Sequence, residues 1–370
     1  MGPGTFQGIR DNAWHRVRPL RILHVDSGTS WRGGQRQALL LALGLRQAGH
    51  EPLLIGPPDS PLVTRARAAG LAVATVRMRG DWDVAAAKRI RARLRTWRAD
   101  IIHAHDARSH AVSLLALIGQ PATPLIVTRR VPFAPKAVRI KYGGRVTRFI
   151  AISRAVRDAM VARGIAADRI DVVHSGVAPL AGSSPARDWR SELGWPADAV
   201  VCGIVGAMTI EKGIDMLAEI ARQLPVESAK KARLVLLGPG AEGTRMIGPI
   251  TAHAAGFVDD IGPAIAGLDV LWHPSRAEGL GTSVIDAMTL GVPPIAFATG
   301  GLPEVIAQGS SGMLVNLGDT ASFAAAAARL IDDPIERALL AEGARTRAKS
   351  FTAASMIERT ELVYQSVLAG

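Results

Sequence analysis

The sequence predicts an α/β protein of two doubly wound domains facing each other across a cleft. Three observations predict it. Short apolar runs alternate with helical patterns along the whole chain, as parallel sheets flanked by helices require. The stretch Ala178–Pro196, which carries proline, glycine and serine, splits that alternation into two series and reads as a linker. Glycines follow several of the apolar runs, where ligands of such sheets bind.

The elements follow in order. The first series has strands at Leu20–Val25, Pro52–Ile55, Leu71–Val76, Ile101–His105, Leu125–Thr128, Phe149–Ile152 and Ile170–His174. Helical patterns such as Gln35–Gln47 and Ser109–Ile118 fall between them. The second series has strands at Val200–Val205, Arg233–Leu237, Gly256–Val258, Asp269–His273, Pro294–Phe297 and Met313–Val315. Ala353–Leu368 closes the chain as an amphipathic helix. The expected division is an extension over 1–18, a first domain over 19–177, a linker over 178–196, a second domain over 197–349 and a closing helix over 350–370 that packs back on the first domain.

A chain of 370 residues with 48% hydrophobic and 21% charged content describes a globular protein able to bury two cores. The only cysteine, Cys202, sits in an apolar run, which excludes disulfide scaffolds and cysteine metal sites within the chain. The first residues lack the apolar core of a secretion signal, and no apolar stretch is long enough to span a membrane, so a cytoplasmic location is expected. Residues 1–180 hold 29 Lys and Arg against 11 Asp and Glu, a net +18, while residues 181–370 hold 15 against 21, a net −6. A basic half implies an anionic partner: a lipid leaflet, an acidic acceptor or nucleic acid. Aromatic residues make up only 4%, and no aromatic-interleaved basic platform appears, so nucleic acid is not expected. The run Lys88–Arg98 also fits a solvated helix face.

The chemistry concentrates in Pro274–Glu304. Glu278 stands beside Gly279, with Leu280, Gly281 and Thr282 next, and Asp286 lies eight positions after Glu278. Val284, Ala287, Met288 and Gly291 fall on one helix face, so a helix begins near Thr282 or Ser283. The first N–H groups of a helix lack intrahelical partners and lie at the positive end of its dipole. Small residues ahead of such an end admit a phosphate, and flanking carboxylates can accept hydrogen bonds from sugar hydroxyls. A nucleotide-sugar asks for that arrangement. Ser283 and Asp286 also fit a capping box, which asks only for helix stability.

Further motifs share this geometry: Gly33-Gly34 opening the first helix, Val205-Gly206 ending a strand, Lys212-Gly213 opening the next helix, and Leu236 to Gly240 ending another strand. Together with the Glu278 block they make the chain resemble the retaining nucleotide-sugar glycosyltransferases of family 4 (group 1), from Leu20 to Leu368. The resemblance implies the GT-B fold, two Rossmann-like domains about a cleft. It implies a nucleoside-diphosphate-sugar donor (UDP-, GDP- or ADP-linked), a glycan or lipid-linked acceptor and no cofactor. It also implies a place in bacterial cell-envelope glycan or glycolipid synthesis, with contact at the inner membrane surface through the basic half. Glu278 would hold donor-sugar hydroxyls and Asp286 the ribose diol. The amides of Leu280, Gly281 and Thr282, with Gly279 and Gly206 beside them, would bind diphosphate. Lys212 would neutralise the leaving phosphate, and Phe257 and Val258 would meet the nucleobase. Gly33 and Gly34 would admit phosphate from the other domain. His105, Asp106, Arg129 and Arg130 would line the acceptor side, and His174-Ser175-Gly176 resemble the hinge-side motif.

Three positions depart from the family pattern. Asp286 replaces a glutamate, Ala207 stands where relatives carry arginine, and Arg130 aligns with a histidine. Arginine cannot act as a base, but it can grip an anion. No metal is expected: His103 and His105 end a strand without convincing ligand spacing. A GT-B nucleotide-sugar epimerase, a basic nucleic-acid-binding protein and a catalytically weakened transferase are the competing readings.

Overall fold

The computed structural model describes residues 18–120, 123–131, 142–178 and 185–369. The N-terminal extension, but for Arg18, and residues 179–184 of the linker lie outside the described residues.

Two seven-stranded sheets form the molecule's described part. The first contains β1 (Arg21–Val25), β2 (Glu51–Gly56), β3 (Ala72–Thr75), β4 (Ile101–Ala104), β5 (Leu125–Arg129), β6 (Arg148–Ala151) and β7 (Ile170–Val172). Its order is β3-β2-β1-β4-β5-β6-β7, parallel throughout. Every residue of β4 is buried, as a parallel strand covered on both faces must be.

The second sheet contains β8 (Val200–Val205), β9 (Ala232–Leu237), β10 (Gly243–Ile247), β11 (Ile250–Gly256), β12 (Val270–His273), β13 (Pro294–Phe297) and β14 (Met313–Val315). Its order is β10-β11-β9-β8-β12-β13-β14, parallel except for β10, which runs antiparallel to β11. One strand expectation is corrected here. The strand expected at Gly256–Val258 is β11, which ends at Gly256, so Phe257 and Val258 lie beyond it. β11 alternates buried and half-buried small residues, and β10 is an exposed edge, so neither forms an apolar run.

Strand order reverses between β1 and β4 in the first sheet and between β8 and β12 in the second. In open α/β sheets the crevice at such a reversal, outside the carboxyl ends of the strands, is where ligands bind.

Trp189–Leu193, in the stretch read as linker, is a short helix. Trp189 is fully buried there, and its indole N–H donates to the Ala264 carbonyl at 2.9 Å. The closing helix, Ala353–Ala369, packs on the Gly33–Gln47 helix. Met356, Ile357 and Tyr364 share an apolar cluster with Leu20, Ile22, Leu41 and Leu45. A backbone exchange fixes its start: Val177 N–H donates to Phe351 at 2.9 Å and Ala353 N–H to Val177 at 3.0 Å. Among the described residues no helix is long and apolar enough to cross a membrane.

Candidate active site

From β12 the chain runs through Glu278 into the Thr282–Thr289 helix. Gly281 caps that helix at φ +91°, a conformation L side chains rarely adopt, and a Cβ there would lie 2.6 Å from Leu302 Cδ2. The N-cap is Gly281, which has no side chain, so Ser283 and Asp286 do not form a capping box. Among the described residues, the amides of Leu280, Gly281 and Thr282 have no backbone acceptor.

The Gly33–Gln47 helix also starts without a side-chain cap. The amides of Gly33 and Gly34, among the described residues, have no backbone acceptor either. A Cβ built on Gly33 would lie 3.4 Å from Thr282 Oγ1, so the two helix starts face each other across the cleft. Each brings about half a positive charge to the gap between them.

Lys212 ends a single turn, Ile210–Lys212, that follows β8 and Gly206. Its ammonium donates to Glu278 Oε2 at 2.5 Å. His273, the last residue of β12, places Nε2 3.0 Å from the same oxygen, with Ser275 Oγ 3.1 Å from that nitrogen. Burial works against the charge of Glu278. The hydrogen bond with His273 and the Lys212 ammonium outweigh it and hold the carboxyl down to about 2. Burial also lowers the His273 imidazole. The result is a carboxylate held by an ammonium and an imidazole, beside two helix starts.

On the first sheet, the ends of β1, β4 and β5 bring His24, His105 and Arg130 together. Arg130 Nη2 donates to His105 Nδ1 at 3.2 Å, because arginine can only donate. The hydrogen of neutral His105 is therefore on Nε2, and it donates to His24 Nδ1 at 2.9 Å. That leaves the hydrogen of His24 on Nε2, which is buried with no partner among the described residues. His103 lies alongside, its Nδ1 2.6 Å from Tyr364 Oη and its Nε2 2.7 Å from Thr128 Oγ1. Burial takes His24 down to about 3. Burial, neighbouring rings and Arg130 take His103 and His105 well below the usual histidine range. Burial lowers Arg130 itself to about 10, against the opposing pull of Asp26 and Asp106.

The ring nitrogens of His24, His103 and His105 come within 4.8 Å of one another, a spacing that could hold a metal ion. Chemistry argues for the hydrogen-bond chain instead. A metal on His105 Nε2 would move that ring's hydrogen to Nδ1, straight against the Arg130 donor. It would also add charge beside a guanidinium.

The remaining sequence-selected residues divide. Asp106 caps the Ala107–Ala116 helix, and it also accepts from Ser27 N–H and Oγ–H, both at 2.6 Å. Its carboxylate is thus already committed to holding the β1 and β4 ends together. Arg129 ends β5 half-buried. Phe257 is exposed and Val258 half-buried at the end of β11, two strands removed from β12. His174 Nε2 lies 2.8 Å from Glu304 Oε2, and Glu304 also accepts from the Arg154 and Ala155 amides at 3.0 and 3.1 Å. Asp286 makes an ion pair across the cleft with Arg36. Sequence reasoning missed Arg36, His24, His273 and Asp26. Arg36 could have been found as the residue three after Gly33, on the same helix turn, and His273 as the polar end of a buried strand.

Residues 199–333 match the family model described as "Glycosyl transferases group 1", and residues 31–179 match "Glycosyltransferase Family 4". A 2-deoxystreptamine N-acetyl-D-glucosaminyltransferase from Streptomyces fradiae is 28% identical over 86% of this chain and 89% of its own length. A D-inositol 3-phosphate glycosyltransferase from Catenulispora acidiphila is 30% identical over 60% of this chain, a match that spans 58% of that relative. Among solved structures, Anabaena HepE in complex with UDP-glucose superposes with a TM-score of 0.82 at 21% identity, covering 94% of this chain and 100% of that one. At that identity the likeness is one of fold.

Proposed function

The chain belongs to the group 1, family 4 glycosyltransferases and has the GT-B fold; on that premise we propose that it moves a hexose-type sugar from a nucleoside diphosphate to an acceptor hydroxyl with retention of anomeric configuration. One observation carries the reading: two uncapped helix starts converge beside the Lys212–Glu278 pair. A diphosphate in that gap would meet unpaired amides, two positive dipole ends and an ammonium. Such preorganised donors favour the charge that develops on a leaving diphosphate.

In the step proposed, the bond from the sugar's anomeric carbon to the phosphate oxygen breaks, and its electron pair leaves with the diphosphate. The acceptor oxygen bonds to the same face of the sugar, and its proton passes to the departing phosphate oxygen. Glu278 would hold sugar hydroxyls, and Lys212 would swing from Glu278 towards the phosphate. Arg130, fixed by His105, would orient the acceptor or grip an anionic group on it. Phe257 and Val258 would meet the nucleobase at the rim of the cleft.

The acceptor is proposed to be a glycan or glycolipid precursor of the cell envelope, reached at the inner face of the membrane. Support for the surface contact comes from the Val84–Trp97 helix, which exposes Lys88, Arg89, Arg93 and Arg95, with Trp82 and Val84 exposed at its start.

Thermal-shift screening against UDP-, GDP- and ADP-sugars and the free diphosphates tests the donor, since a ligand of the native state raises its melting temperature. Proton NMR of the product's anomeric coupling then reports the stereochemistry. Stabilisation by none of the diphosphates would remove the reading, and an inverted product would remove retention.

A further inference from the structure

Arg36 belongs to no motif, yet it occupies the carboxylate to which the family resemblance assigns the ribose. It lies one turn into the Gly33–Gln47 helix, and Asp286 one turn into the Thr282–Thr289 helix. Two hydrogen bonds join them: Nη1 to Oδ2, and Nη2 to Oδ1 at 3.0 Å. The Asp286 side chain is 3% exposed and that of Arg36 26%, so the cleft meets the guanidinium and not the carboxylate. Burial pushes the Asp286 carboxyl up, and Arg36 is the group that offsets it.

Aspartate is one methylene shorter than glutamate, which keeps the carboxylate close to its own helix. Arg36 reaches into the space that remains. A ribose could reach Asp286 only by displacing Arg36. That exchange would replace a bidentate ion pair by hydrogen bonds from neutral hydroxyls and leave the half-buried Arg36 cation without its carboxylate. Arg36 has five N–H donors and spends two on Asp286. The other three belong to a side chain rooted one turn after Gly33, a residue that lies against Thr282.

We propose that Arg36 is a specificity-determining residue of the donor site: it withholds Asp286 from the ribose hydroxyls and turns its remaining donors to the diphosphate. This rests on the donor reading above. The donor is then gripped by its phosphates and tolerates change at the ribose. Each domain contributes one half of that grip.

The test is titration calorimetry of the full chain with whichever of UDP, GDP or ADP stabilises it most, against the 2′,3′-dideoxy form of the same diphosphate. Wild type should bind the two within about threefold, less than the tenfold that each 1.4 kcal/mol represents. Arg36→Ala should weaken both, yet favour the ribose form by about tenfold or more, because Asp286 is now released to the diol. Asp286→Asn covers the case in which Arg36→Ala does not fold. It should weaken diphosphate binding by loosening Arg36, with the ratio still near one. A wild-type ratio above tenfold that Asp286→Asn abolishes would overturn the inference and leave the donor site standing. If no diphosphate binds the wild type, the donor reading fails and takes this inference with it.

Discussion

Gly279 lies directly against the backbone of Arg130: a Cβ built on Gly279 would stand 2.1 Å from the Arg130 carbonyl oxygen and 3.0 Å from Ile152 Cδ1. The loop that carries Glu278 is therefore seated on the ends of β5 and β6 in the other sheet. Backbone cannot give way as a flexible side chain can, so any larger residue must part the two domains. Gly279→Ala is expected to lower kcat/KM by more than tenfold and to cost about 1–3 kcal/mol of stability, as overpacking does. Steady-state kinetics and thermal melting check both. Wild-type kinetics in the variant would show that the contact plays no part in turnover.

Lys212 and His273 both hold Glu278 Oε2, and they set its charge state. A carboxyl depressed to about 2 contributes stability that is fully present above the unfolded glutamate range and is lost as pH falls through about 2. Between pH 5 and 8 Glu278 does not titrate, so it should add no acid limb to the rate profile. Lys212→Met removes one support of the carboxylate and the proposed phosphate cation. Its kcat should fall by about 10²–10³, the scale seen when one preorganised donor is lost. Glu278→Gln should lose activity and also lower the melting temperature at neutral pH, because Lys212 and His273 lose their charged acceptor. Equal turnover in Glu278→Gln and wild type would refute the assigned role.

The parallel strands were legible because both their faces are buried, which turns β1, β4 and β8 into short apolar runs bounded by glycine or polar residues. The Glu278 loop was legible because its glycines and carboxylates lie within a few residues of one another. Partners far apart in sequence were not. Arg36 and Asp286 are 250 positions apart, and only the closure of two sheets on one another brings them together. His24 stood inside an apolar run and gave no sign that His105, from another strand, would share its hydrogen bond. β10 and β11 escaped for a local reason. An exposed edge strand and one built on alanine and glycine have little apolar periodicity to read.

The Val84–Trp97 helix buries Ala86, Ala87, Ile90 and Leu94 and turns its basic residues outward. Arg91 ties it to its neighbour by donating to the Ala116 carbonyl at 2.9 Å. If this face meets an anionic leaflet, each Lys or Arg near the surface contributes about 1 kcal/mol. The protein should co-sediment with phosphatidylglycerol vesicles and not with phosphatidylcholine vesicles, and should be released at about 0.5 M salt, where screening is short-ranged. Combined Lys88→Glu, Arg89→Glu and Arg93→Glu should abolish co-sedimentation without altering turnover on a soluble acceptor. Binding that ignores salt and charge reversal would locate the contact elsewhere.

The three buried imidazoles make acid the weak side of this fold. Burial lowers His24 to about 3 and takes His103 and His105 well below the ordinary range. In the unfolded chain each gains a proton as pH falls through about 6.5. Below that point the unfolded state binds more protons than the native one, so stability falls with acidification until the native pKa values are reached. Each neutral ring contributes a slope of about 1.4 kcal/mol per pH unit in that window. Urea unfolding at pH 7.5, 6.5 and 5.5 should therefore show a flat first interval and a steep second one. His24→Gln keeps an acceptor for His105 Nε2–H but cannot gain a proton, so it should flatten the second interval by about one ring's share. A profile independent of pH down to 5.5 would mean that the rings are charged or hydrated in the native state. The hydrogen-bond order that aims Arg130 would then be wrong.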